Sequence, residues 1–388
     1  MTALEIVLSL VSSEACDAEL FCDVAGEITE QKLDQMYVIA KKHDIAHIVG
    51  AALKKIEISF ASPFLKSFYD EHAIAVFRYR RLADELSQIS ALFENEKILH
   101  IALKGALLRK YYPEPWMRTS CDIDVLVKKS DLDFACELLV SKLGYKLCGK
   151  TGHDVSFDSP TGVHLELHFN LIDDAFFPEV SSMLEAVWDK TVIAEGKKYT
   201  LLMTDEMFYF YHIAHMAKHF LTGGCGIRTF LDLWMLTHRL PDNSEKRAAL
   251  ISEGGFADFE AKALELISVW FGKSEHSAFS RSFERFVLIG GAFGTVENSV
   301  SIGVANRNGK FRYIIRRIFP SLAVMKTMYP SLEKRKWLLP LCHVRRWFRI
   351  IFCGGAKSAR AQFSKSAGMS NAEIEEVSRL IAELGLRK

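Results

Sequence analysis

Several features that would narrow the reading at once are missing from this chain. Its eight cysteines are scattered, with no CxxC pair and no dense framework, which excludes a disulfide-stapled scaffold and points to free thiols in a reducing compartment, the cytosol. No apolar run reaches the eighteen or so residues of a membrane span. Lys and Arg exceed Asp and Glu by one, 49 against 48, so no global charge calls for nucleic acid or lipid. The stretch MTALEIVLSL is apolar, but Glu5 interrupts it and no basic residue precedes it, so a signal peptide is not expected. There is no internal repeat and no low-complexity linker. What remains is an ordinary globular composition, 49% apolar and 25% charged over 388 residues, enough for two or three compact units.

The apolar spacing changes character along the chain. From 1 to 94 it is helical, with Leu33, Met36, Tyr37 and Ala40 recurring on one face and few Gly or Pro to break the period. From 95 to 195 short apolar runs alternate with helical stretches: KILHIAL, DIDVLV, DVSF and GVHLELHF read as strands, GALLRKYY and SDLDFACELLVSKLG as helices, the latter with Ser130 as N-cap and Gly144 as its stop. This predicts an α/β or α+β unit on a small mixed sheet, framed by helical parts. The helical period returns over 196–300, broken by the turn TGGCG. The last part, 301–388, is a basic helical tail: between Arg307 and Lys365, Lys357 included, fifteen lysines and arginines face a single acid, Glu333.

Two aspartates open the run DIDVLV. Side chains at i and i+2 of a strand share a face, so Asp122 and Asp124 stand side by side while Ile123, Val125 and Val127 turn to the core. At roughly 5 Å and an effective dielectric near 20 their repulsion is about 3 kcal/mol, and a divalent cation between them reverses its sign. The plain alternative is an Asp pair that caps a turn. Strict alternation in GVHLELHF buries Leu165, Leu167 and Phe169 and puts His164, Glu166 and His168 on the other face, which supplies a third carboxylate. Upstream, LKGALL places Gly105 at a strand-to-helix turn, where backbone N–H groups favour a phosphate. Together these make a phosphoryl-transfer site.

The order Lys104-Gly105, Arg118, Asp122-x-Asp124 and Glu166 on a later strand resembles the nucleotidyltransferase superfamily that includes DNA polymerase beta. More closely it resembles a family of bacterial nucleotidyltransferases whose motif runs LKG, R, DIDxLV, ExH, with the abortive-infection toxins as cousins. VIAKKHDIAHIV and HMAKHFLTGGCGIRTFLDL are also similar to that family. The resemblance implies Asp122, Asp124 and Glu166 as catalytic metal ligands for Mg2+, or Mn2+ in its place, transfer of a nucleoside monophosphate from an NTP to an acceptor hydroxyl, and release of pyrophosphate. Where the superfamily has Gly-Ser or Gly-Gly, this chain has Gly105-Ala106, so phosphate contacts must come from backbone N–H groups, Lys104 or Arg118.

On the helical stretch after 205, His212, His215 and His219 share a face, either as a zinc site or as a histidine-lined cleft. Lys218 and Arg228 are candidates for phosphate or acceptor contact. The tail mixes Arg312, Arg316, Arg345, Arg346 and Arg349 with Trp347, and reads as a solvated helix face, an RNA contact with Trp347 stacking, or an interfacial helix on anionic lipid. The functional expectation is a cytoplasmic, Mg2+-dependent nucleotidyltransferase whose acceptor is RNA, protein or a small molecule. The rival is a nucleotide- or RNA-binding protein on the same scaffold without turnover.

Overall fold

Side-chain caps set where the first helices begin. Thr2 accepts the N–H of Glu5 while the Glu5 carboxylate takes the N–H of Thr2, a capping box that starts Ala3–Ala15. Thr29 caps Glu30–Lys42, and Ser62 caps the 33-residue helix Pro63–Asn95, with proline at its first position. The computed structural model describes residues 1–16, 18, 24–172, 177–241, 243–272, 274–306, 309–352 and 356–386. Cys22, Arg307 and Cys353 lie outside the described residues, as does the side chain of Lys357.

Seven strands form one sheet: β1 His100–Ala102, β2 Asp122–Val127, β3 Lys146–Lys150, β4 Asp154–Asp158, β5 His164–His168, β6 Thr191–Ile193 and β7 Thr200–Met203, in the order β3-β4-β5-β2-β1-β7-β6. β2 pairs parallel to β5 and β1 parallel to β7, and the other pairs are antiparallel. The expected mixed sheet is therefore present, and β2 spans the whole DIDVLV run. β3, β6 and β7 escaped the pattern: β3 and β6 are edge strands with most of their side chains exposed, and β7, inside the stretch read as helical, has only four residues.

On one face Ile123, Val125, Leu165 and Leu167 pack with Ile89 and Phe93 of the long helix and with Leu139 of the helix Leu132–Leu143. That helix starts one residue later than Ser130 predicts. Asp131 is its N-cap without a side-chain cap bond, because the Ser130 hydroxyl is turned to the Asp131 carboxylate, whereas Gly144 ends it at φ +69° as expected. Glu85, buried mid-helix, accepts from Tyr145, Ser159 and Thr161 and ties the long helix to the outer strands. The larger core lies beyond the other face. There the amino-terminal helices meet Asp205–Thr222, Ile227–Arg239, Ala257–Phe271 and Ala278–Gly290 around Phe210, Phe220, Phe230 and Phe283. The last helix, Asn371–Glu383, returns to this core through Leu380 and Ile381.

Candidate functional site

Register brings the acids together. β2 and β5 run parallel with Asp124 opposite Glu166 and Leu126 opposite His168, so strand periodicity puts Asp122, Asp124, Glu166 and His168 on one face at the cavity end of the sheet. Asp124 is buried, and its Oδ1 receives both Lys104 Nζ at 2.6 Å and His168 Nε2 at 2.8 Å. His168 Nε2 also stands 3.3 Å from Glu166 Oε2, and Lys104 Nζ 3.8 Å from the same oxygen.

Lys104 reaches Asp124 from a left-handed backbone, φ +44°, a conformation that costs a lysine about 1–3 kcal/mol and persists where its surroundings hold it. Gly105 follows because the chain passes close: a Cβ there would lie 3.2 Å from the side chain of Ser120. The turn closes on itself, with the N–H groups of Ala106, Leu107 and Leu108 donating to the carbonyls of Leu103 and Lys104. The backbone cradle expected for a phosphate is thus largely spent within the turn, and side chains carry the positive charge of the cleft.

The electrostatics follow the contacts. Burial works against the Asp124 carboxylate, yet Lys104 and His168 hold its pKa far below the usual carboxylate range. Asp122 moves the other way, pushed up by burial and by repulsion from Asp124. The hydrogen bond from His168 lowers Glu166 against the opposing effect of burial. Burial disfavours the charge on Lys104, but Asp124 more than compensates and raises it. One carboxylate pushed up beside one held down is the signature of negative charge crowded at a point.

A cavity of about 440 Å3 opens in front of these strands, and Lys104, Gly105, Arg118, Asp122, Asp124 and Glu166 all line it. Lys218 and Arg228 line it from the helices opposite. Arg118 is buried and donates through Nε to both oxygens of Asp232, at 2.6 and 2.9 Å, while Tyr112 donates to the same carboxylate at 2.7 Å. Arg228 pairs with Asp44, which also accepts from Thr119 at 3.0 Å. Both arginines are therefore positioned by carboxylates to which sequence reading gave no role. Asp232 was legible as the fourth residue after Arg228 in the same helix, but its partner Arg118 is 114 positions away.

His212, His215 and His219 also line the cavity, with the Nε2 atoms of His215 and His219 3.1 Å apart. Burial lowers all three, His219 to about 4. Among the described residues the groups placed to hold a metal are Asp124, Glu166 and His168, and His153, Asp154 and His168. The helix histidines belong to neither group and line the cavity. His168, which sequence reading placed on the right face but gave no role, is shared by both groups. The donor set fits a divalent cation: carboxylate oxygens whose mutual repulsion a cation relieves, with a buried imidazole beside them.

A family model described as an uncharacterised nucleotidyltransferase matches residues 29–272. The chain belongs to this nucleotidyltransferase family. The matched span holds the sheet, the acids and the helices that carry Lys218 and Arg228, and it ends ahead of the basic tail. No curated protein matches the chain. Among solved structures, an antigenic nucleotidyltransferase-like protein from Paracoccidioides brasiliensis is similar at 16% identity over 51% of this chain and 95% of that one, with a TM-score of 0.31.

Proposed function

We propose that the protein transfers a nucleoside monophosphate from an NTP to an acceptor hydroxyl, with Mg2+ or Mn2+ held by Asp122, Asp124 and Glu166. The observation that carries this reading is the register of Asp124 against Glu166 on parallel strands, with Asp122 on the same face, at the wall of a cavity that also holds Lys104, Lys218 and Arg228. When bound, the cation supplies charge for the phosphates and lowers the pKa of the attacking hydroxyl. Asp122 and Asp124 anchor the donor side, and Glu166 stands on the acceptor side. The acceptor oxygen forms a bond to the α-phosphorus, the bond from that phosphorus to the bridging oxygen breaks, pyrophosphate leaves, and the hydroxyl proton passes to a carboxylate or to solvent. Lys218 and Arg228, on the far wall, face the triphosphate. His168 orients Asp124 and Glu166 through one nitrogen.

The test is incubation with each α-labelled NTP, Mg2+ and a cell extract, following pyrophosphate and the fraction that carries label. Label on RNA, protein or a small molecule identifies the acceptor class. Tight NTP binding with no pyrophosphate from any extract would overturn the reading in favour of a nucleotide- or RNA-binding protein without turnover.

A further inference from the structure

In water an amphipathic helix turns its arginines out and its phenylalanines in. The helix Leu339–Phe352 departs from this: one of its three arginines, Arg346, is turned in, and apolar side chains share the outer face with Arg345 and Arg349. Arg346 is 8% exposed, its guanidinium donating to the backbone carbonyls of Arg317 at 3.2 Å and Ile318 at 3.4 Å. Phe348 and Phe352 are 62% and 71% exposed, stacked on each other with ring centroids 5.2 Å apart. Leu341, Val344, Phe348, Ile351 and Phe352 recur at three- and four-residue spacing, so the exposed apolar residues form one outward stripe.

The stripe extends beyond this helix. Met328 and Tyr329 join Phe348 and Phe352 in a shallow groove of about 550 Å3 flanked by Arg345 and Arg349. Trp337, just ahead of the helix, is 76% exposed. Phe311, Ile315 and Phe319 make a second exposed row on and just after the helix Lys310–Ile318. That helix is locked to the first: Trp347 donates its indole N–H to the Ile318 carbonyl at 3.0 Å and packs edge-on against Phe319. Exposed apolar surface of this extent marks a place where something other than water is met.

Charge selects the occupant. Between Lys310 and Phe352 there are eleven lysines and arginines and one acid, Glu333. A second copy would bring the same cations to its own interface, and like charges would face each other. An RNA would engage the arginines but leave Leu341, Val344 and Ile351 against water, and Trp347, the side chain best suited to stack on a base, is turned inward. A surface anionic at its headgroups and apolar beneath engages both kinds of residue. Among the described residues no helix is long and apolar enough to cross a membrane, which leaves a helix lying in the interface plane. We propose that this face docks on a lipid leaflet carrying anionic headgroups, with Phe348, Ile351, Phe352 and Trp337 at the acyl boundary and Arg345 and Arg349 at phosphate level.

Flotation of the full chain with vesicles tests this, using phosphatidylcholine with and without one-third phosphatidylglycerol. Binding is expected to the anionic vesicles and not to phosphatidylcholine alone, and added salt should weaken it. Arg345→Gln with Arg349→Gln should weaken it about five-fold for each arginine removed. Phe348→Ser with Phe352→Ser should weaken it about ten-fold or more at unchanged net charge. Because a double variant can lose its fold, wild-type protein is also mixed with vesicles whose acyl chains carry bromine. Trp337 should then be quenched, seen as the difference from Trp337→Phe. No binding to anionic vesicles, or no quenching of Trp337, overturns the proposal. So does an arginine-dependent, phenylalanine-independent interaction with RNA, or self-association that the phenylalanine variant abolishes.

Discussion

On β2 and β5 the acids face a cavity and the aliphatic side chains face a core, whereas on the helix Leu339–Phe352 an arginine faces inward and aliphatic and aromatic side chains face out. Both regions bury charge, and the partners differ. Asp124 has an ammonium and an imidazole on one oxygen and a cavity in front of it, so its buried charge is met by partners that are themselves cationic or polar. Arg346 has backbone carbonyls, which take two of its hydrogen bonds but bring no opposite charge; burial and neighbouring Arg317 lower its pKa. The contrast teaches that hydrophobicity alone does not decide which side of an element is inside: the partner each side meets decides it.

The largest effect expected from breaking this arrangement is at Asp124. Asp124→Asn should lower pyrophosphate release roughly 10^3-fold, and it should also cost about 3 kcal/mol of stability, because Lys104 loses its buried counter-ion. Rate under saturating NTP and urea unfolding measure the two together, and a silent stability would mean that the Lys104 bridge is not formed. Asp232→Asn probes a second buried ion pair in the wall of the same cavity. It strips the carboxylate from Arg118 and should cost about 3 kcal/mol in the same unfolding assay. Glu166→Gln should lose about a hundred-fold in kcat with NTP affinity retained, since an acceptor-side group acts mainly in the transition state. Equal loss in both would move Glu166 to the donor side.

A smaller effect comes from pH. Burial pushes His43 and His47 down to about 4 each. Their folded pKa values lie below the unfolded value near 6.5, so the unfolded chain binds more protons between the two, and stability is lost as pH falls from about 6.5 toward 4. The slope should approach about 1.4 kcal/mol per pH unit for each histidine, read from urea midpoints across that range. The smallest change is Tyr112→Phe. It removes one hydrogen bond to Asp232 while Arg118 keeps its ion pair, and a loss of about 1 kcal/mol is expected by thermal unfolding.

Much of the acid site was legible because it is local. Asp122 and Asp124 sit two apart on a strand, and Glu166 and His168 two apart on another, so periodicity alone assigns each pair to a face. The helix after Asp131 was placed to within a residue, and Gly144 marked its end. The partners of Arg118 and Arg228 were not legible, since Asp232 and Asp44 reach them from helices that the chain brings close only after folding. The backbone cradle at Gly105 was overread: a glycine after a strand says that the chain turns, and only the hydrogen bonds of Ala106, Leu107 and Leu108 show where the donors go. For Trp347 the sequence left a packed face, stacking on RNA and a lipid interface open, and packing against Phe319 turned it inward.

What the sequence by itself determined is four of the seven strands, the main helical stretches with their apolar faces, the four residues that alternate onto one side of β2 and β5, and the excess of cations near the carboxyl end. Those follow from backbone period and from covalent charge, which need no partner. Only the tertiary structure decided that β2 and β5 are parallel neighbours with Asp124 opposite Glu166, that Lys104 and His168 meet on one carboxylate oxygen, and that Arg346 is inside while Phe348 and Phe352 are outside. Each of these depends on which element lies across the gap. The free energy of a buried charge or an exposed ring is a property of the pair of surfaces that meet, and no single stretch of chain contains both.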